Sequence, residues 1–145
     1  MTRIDFYITG DGGERARELV ACRLAAKAFS LDHVVHVHTA GPDQAQHLDK
    51  LMWTFRDGSF VPHAVAGDAL LDDPSSGHSV IIGSGHEPVE RCNLVINLGD
   101  DVPRFFSRVE RVAEVIDGNP ARREAGRERF RFYRDRGYQV ETHKL

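Results

Sequence analysis

Apolar and polar positions along the chain follow two alternating periods. Ile4, Phe6, Tyr7 and Ile8 form a compact apolar run that predicts a strand over 4–9. Ala16, Leu19, Val20, Leu24 and Ala28 then recur at three- and four-residue steps, which predicts a helix over 13–29. "VVHVHT" reads as a second strand over 34–39, and Pro42 stands at the entrance of a second helix over 43–53. "TFRDGSFVPHAVAGDALLDDPSSGH" is broken by glycine and proline and reads as one long irregular stretch. "SVIIG" (79–83) and "NLVINL" (93–98) are almost wholly apolar, as strands buried on both faces require. "PRFFSRVERVAEVID" predicts a helix over 103–117, Pro120 opens another that runs to about 136, and "YQVETH" closes the chain as a strand. Alternating strands and helices with short buried strands predict the α/β class. The expectation is one domain over 1–145, a doubly wound, mostly parallel sheet resembling nucleotide-binding folds.

Composition narrows what such a domain can do. The 145 residues are 41% hydrophobic and 28% charged, ordinary values for a globular protein. No apolar run approaches the roughly 20 residues of a membrane span, and "MTRIDFY" lacks the apolar centre of a secretory signal. A cytoplasmic location without direct membrane contact is therefore expected. Cys22 and Cys92 stand far apart without metal-ligand spacing, so both are expected to be reduced core thiols. A net charge of −3 speaks against general nucleic-acid binding. That average conceals a local excess. Between Asn119 and Tyr138 lie Arg122, Arg123, Arg127, Arg129, Arg131, Arg134 and Arg136, against only Glu124, Glu128 and Asp135. A basic patch on an acidic chain points to a particular acidic partner.

The first strand runs into Gly10, Gly12 and Gly13, the kind of turn that cradles phosphate when its pattern is complete. Here it is incomplete. The dinucleotide pattern needs glycine where Arg15 stands, the phosphate-loop pattern needs Gly-Lys-Ser/Thr, and Asp11 and Glu14 would repel a phosphate. A small nucleotide-binding protein or hydrolase using Gly10–Gly13 is the alternative reading, supported in part by the loop "GSGHEP" (83–88). His36 and His38 share one strand face without a third ligand at metal spacing, so no metal site is expected. No serine lies in a nucleophile elbow. Neither a catalytic group nor a cofactor site emerges.

Two stretches remain. "LMWTFRDGSFVPH" (51–63) sets Trp53, Phe55 and Phe60 around a loop, as a core or an interface would. In "ARREAGRERFRFYRDRGY" (121–138), Arg123, Arg127, Phe130, Arg131 and Arg134 fall on one helical face. Such a face is either solvated or built to grip an acidic peptide with a hydrophobic anchor.

Over its whole length the sequence resembles the chi subunit of bacterial DNA polymerase III holoenzyme. "LMWTFRDGSFVPHAVAGD" and the closing "RERFRFYRDRGYQVE" carry the likeness, with "DFYITG" and "NLVINLGDDVP" beside them. The resemblance implies a non-catalytic clamp-loader adaptor. It would bind the acidic C-terminal tail of single-stranded DNA-binding protein through Arg123, Arg127, Phe130 and Arg131, with Ile116 in the apolar slot. Phe130 stands where the family often has tyrosine, and Arg123 and Arg131 stand where it has lysine. The resemblance further implies a separate surface, including Trp53 and Phe60, for the psi subunit or a helicase. DNA contact would be indirect.

Overall fold

The computed structural model describes residues 1–10, 13–56, 61–66 and 79–145. Seven strands among them form one sheet: β1 (Arg3–Ile8), β2 (Val35–His38), β3 (His63–Val65), β4 (Val80–Gly83), β5 (Leu94–Asn97), β6 (Arg111–Ile116) and β7 (Gln139–Lys144). Their spatial order is β3-β4-β2-β5-β6-β1-β7, and every pairing is parallel. Parallel neighbours need crossover connections, and three helices supply them: α1 (Gly13–Ser30), α2 (Pro42–Thr54) and α3 (Pro120–Asp135). The α/β class and the parallel sheet read from the sequence are thus present.

Side-chain alternation sorts the strands into two cores. Val35, Val37, Leu94, Ile96, Ala113 and Val115 turn toward α1 and α2, where they meet Ala21, Ala25, Leu48 and Met52. Ile4, Phe6, Val95, Val112 and Ile116 turn the other way, toward Tyr133 on α3 and Phe105 ahead of β6. β4 and β5 are buried on both faces, as their continuous apolar composition anticipated. Both cysteines are free and buried in these cores, and burial pushes the thiol of Cys22 up to about 12 and that of Cys92 to about 11.

The helix expected over 103–117 is not there. A short 3-10 turn (Phe106–Arg108) leads instead into β6, which lies between β5 and β1. Val109, Val112, Val115 and Ile116 suit a helical period as well as a strand, but β-branched side chains packed on both faces favour the strand. Glu114 disguised the strand, because a carboxylate is out of place in a strand buried on both faces. β3 likewise arises inside the stretch read as irregular.

α3 is defined at both ends by local chemistry. The Asn119 side chain caps its start by accepting from the Arg122 N–H at 3.1 Å, and Pro120 occupies the first turn. At its end Gly137 adopts φ +84°. Tyr138 N–H then donates to Tyr133 O at 3.1 Å and Gly137 N–H to Arg134 O at 3.0 Å, closing the helix in a left-handed Schellman turn.

Candidate functional site

A groove of about 330 Å³ runs between α3 and the ends of β1, β6 and β7. Phe6, Ile8 and Ile116 form its floor, and Arg123, Arg127, Phe130, Arg131 and Arg134 line it from α3. The structure therefore brings together all five residues that the sequence singled out on this side: Arg123, Arg127, Phe130, Arg131 and Ile116. Thr142 of β7 closes the far wall. Among the described residues four arginines and no carboxylate line the groove.

The helix can lie this close to the sheet because of Gly126. A Cβ at that position would collide with the Cδ1 of Ile116. Glycine inside a helix costs about 1 kcal/mol relative to alanine, yet here it lets Ile116 pass beneath α3 to the groove floor. Phe130 is half-buried, its ring 5.4 Å from that of Phe6 and tilted by 58°. It is thus both a wall of the groove and part of the core packing.

A buried ionic cluster beneath the groove fixes α3. Glu114 is fully buried and accepts from Asn97 Nδ2 at 2.9 Å, Arg129 Nε at 3.0 Å and Tyr133 Oη at 2.7 Å. Arg129 also donates to Asp100 O at 2.6 Å. Burial pushes the Glu114 carboxyl above its usual range, while Arg129 and the three hydrogen bonds pull against it. At the N-terminus Arg122 grips Asp117 with two bonds, at 2.9 and 2.5 Å, which together hold the Asp117 carboxyl below its ordinary value. The seven arginines of 119–138 therefore divide by role. Arg122 and Arg129 hold the helix in place, Arg136 lies 4.0 Å over the Phe132 ring, and the other four face the groove. Helical spacing reveals the groove stripe. Nothing in it reveals that Arg129 has a buried carboxylate partner, since that partner lies on a strand misread as helix.

The groove cations are available to a ligand. Among the described residues Arg127 pairs only with exposed Glu124 at 3.1 Å and Arg134 only with its neighbour Asp135 at 3.4 Å, while Arg123 donates to Asp117 O at 3.2 Å. Arg131 is exposed and has no ion pair among the described residues. Exposed pairs of this kind contribute about 0–1 kcal/mol, so exchanging them for a ligand carboxylate costs little.

The second predicted surface is described only in part. Trp53, on the last turn of α2, is 43% exposed, and its ring centroid lies 4.1 Å from that of His63. His63 is buried, with Nδ1 2.7 Å from Val61 O and Nε2 2.9 Å from Asp49 O. Trp53 is therefore a surface residue laid across a buried histidine. Phe60 lies outside the described residues.

His36 and His38 project from β2 on the α3 side, both edge-on to the Phe105 ring at 5.6 and 5.5 Å. His36 is almost wholly buried, and burial, with His38 and His86 nearby, lowers its pKa to about 4. Among the described residues no three histidine, cysteine or carboxylate side chains gather as metal ligands. No described helix is long and apolar enough to cross a membrane.

Comparison with known proteins places this geometry in a family. The family model described as DNA polymerase III chi subunit, HolC, matches residues 1–141. The DNA polymerase III subunit chi of Pseudomonas aeruginosa is 39% identical over 145 residues, covering 100% of this chain and 98% of that protein. The corresponding proteins of Escherichia coli and Haemophilus influenzae are 27% and 26% identical, each covering at least 97% of this chain. Among solved structures, T4 UvsW superposes with a TM-score of 0.68 at 12% identity over 99% of this chain. The match spans 41% of UvsW, and at that identity it speaks for the fold alone. The chain belongs to the DNA polymerase III chi subunit family.

Proposed function

We propose that this protein is a non-catalytic adaptor that docks the acidic C-terminal tail of single-stranded DNA-binding protein in the α3 groove. Membership of the chi family makes it a replication accessory subunit whose partners are replication proteins. The observation that carries the finer reading is the groove: four arginines, with no lining carboxylate among the described residues, surround an apolar floor of Phe6, Ile8 and Ile116. Charge-assisted hydrogen bonds from Arg123, Arg127 and Arg131 would hold the acidic residues of the tail. A terminal apolar side chain would seat between Ile116 and Phe130, where full burial is worth about 1.5–3 kcal/mol. The half-exposed Trp53, across the sheet from α3, would serve the psi subunit or a helicase, together with Phe60 as the sequence implies. No step of this function calls for a cofactor or for bond chemistry.

The test is capture of the host's own single-stranded DNA-binding protein, intact or lacking its tail, by the wild-type chain. Retention of the intact form alone is expected. Equal retention of both forms would place the contact elsewhere and return the α3 stripe to a solvated face.

A further inference from the structure

His63 makes a demand that a neutral imidazole cannot meet. Its side chain is fully buried, with Nδ1 2.7 Å from Val61 O and Nε2 2.9 Å from Asp49 O. Both oxygens belong to main-chain carbonyls and can only accept. A neutral imidazole carries one N–H and one lone pair, so one of the two contacts would set lone pair against lone pair. An imidazolium donates on both sides and leaves neither contact unmet. Its counter-charge is in place, because Asp49 Oδ1 lies 3.1 Å from Nε2.

The same ring carries Trp53. Asp49 and Trp53 stand four residues apart on α2 and so share one helical face. Asp49 meets the imidazole at its nitrogen edge, and the indole lies across it, with centroids 4.1 Å apart and planes inclined by 41°. A cation within about 6 Å of an indole centroid is attracted to the ring face. On the other side β4 pairs with β3 through Val80, Ile81 and Ile82, all aliphatic. Among the described residues Asp49 is thus the ionisable side chain that faces His63.

We propose that His63 is a proton-operated positioning residue: charged, it seats the Trp53 indole on β3, and on losing its proton it releases that seat. As pH rises one ring nitrogen turns from donor to acceptor, its contact with a carbonyl becomes repulsive, and the cation beneath the indole disappears. The surface around Trp53 is therefore held in the acid form and loosened in the basic form. Its use in docking rests on the reading of Trp53 as a partner surface. The seat itself rests on the geometry of His63 alone.

Trp53 is the chain's only tryptophan, so its emission reports the seat directly. The test follows the full chain from about pH 5.5 to about pH 9, across the range where histidine titrates, by indole fluorescence and by 15N spectra of the histidine rings. An imidazolium quenches a stacked indole far more than a neutral imidazole does. At the acid end both His63 ring nitrogens are expected to carry protons and the emission to be quenched. The emission is then expected to rise in a single step that coincides with loss of one His63 ring proton. Asp49→Asn is expected to move that step to lower pH, since the charged ring loses its counter-charge. His63→Gln is expected to abolish the step and His47→Gln, elsewhere on α2, to keep it. A His63 nitrogen bare at the acid end, a ring that keeps both protons throughout, or emission indifferent to its titration would each overturn the proposal. So would an Asp49 variant whose step stays in place. An intact pH step, with psi-subunit capture undiminished in Trp53→Ala, would sink the docking reading and leave the seat standing.

Discussion

Arg127 and Phe130 sit one turn apart on the same groove and would hold a ligand by different forces. Arg127 acts through charge from an exposed position, so Arg127→Ala is expected to weaken tail binding toward the lower end of about 1.5–3 kcal/mol. It is also expected to flatten the salt dependence, because screening acts on the pair it removes. Phe130→Ala is expected to weaken binding with its salt dependence kept, since apolar burial is what it removes. Fluorescence anisotropy with a labelled tail peptide at two salt concentrations separates the two. A parallel urea titration is needed for Phe130, whose ring also packs on Phe6. That dual role was not legible in the sequence, where Phe130 reads only as an aromatic among cations. Trp53→Ala is expected to cost less than the about 3–5 kcal/mol of a truncated core aromatic, because its ring is partly in solvent. A loss in that range on denaturation would make it a core residue.

α3 shows how one helix serves two purposes. Its inner side is fixed by Glu114, Tyr133 and the Asp117–Arg122 fork, and its outer side is left to bind. Glu114→Ala would strand the Arg129 guanidinium without its buried partner. An expected loss of about 3–5 kcal/mol follows, read as a lowered urea midpoint, whereas Arg131→Ala should move that midpoint hardly at all. Equal midpoints for the Glu114 variant and wild type would show that Arg129 finds other acceptors. The stripe itself was legible because a 3.6-residue period maps directly onto one helical face. β6 was not, because Arg111-Val-Ala-Glu-Val-Ile fits either period over so short a span, and its charged member implies an exposed face. Burial of that carboxylate depends on Arg129 and Asn97, which are remote in sequence, and no local pattern announces them.

At the level of the whole molecule, acid is expected to act first through the histidines of β2. Burial holds His36 at about 4, so between pH 6.5 and 4 the unfolded chain binds a proton that the folded chain refuses. Stability is therefore full above 6.5 and falls as pH drops toward 4, by on the order of 3 kcal/mol. His38, likewise lowered by burial, adds in the same direction. Asp117, held low chiefly by Arg122, loses its contribution only as pH falls below about 3.8, so the two effects occupy separate windows. Urea midpoints at pH 7, 5.5 and 4.5 should fall for wild type and fall less for His36→Gln. An unchanged wild-type midpoint over that range would contradict the buried placement. The sequence shows the two histidines on one strand face but not what covers them, because the pattern around Phe105 predicts a helix.

The position of β1 has a consequence for how the chain is made. Among the described residues, 3–8 pair with 111–116 and 139–144 and with no other strand. At about 5–20 residues per second, the first strand leaves the ribosome some 5–20 s before its earliest partner exists. Throughout that interval Ile4, Phe6, Tyr7 and Ile8 form an apolar edge with nothing to pair. A ribosome-stalled chain ending at residue 110 should therefore be cut by protease near its N-terminus, and one extending past β7 should resist. β1 is synthesised well before the strands that secure it, which leaves a span of protein synthesis in which chaperones have something to hold.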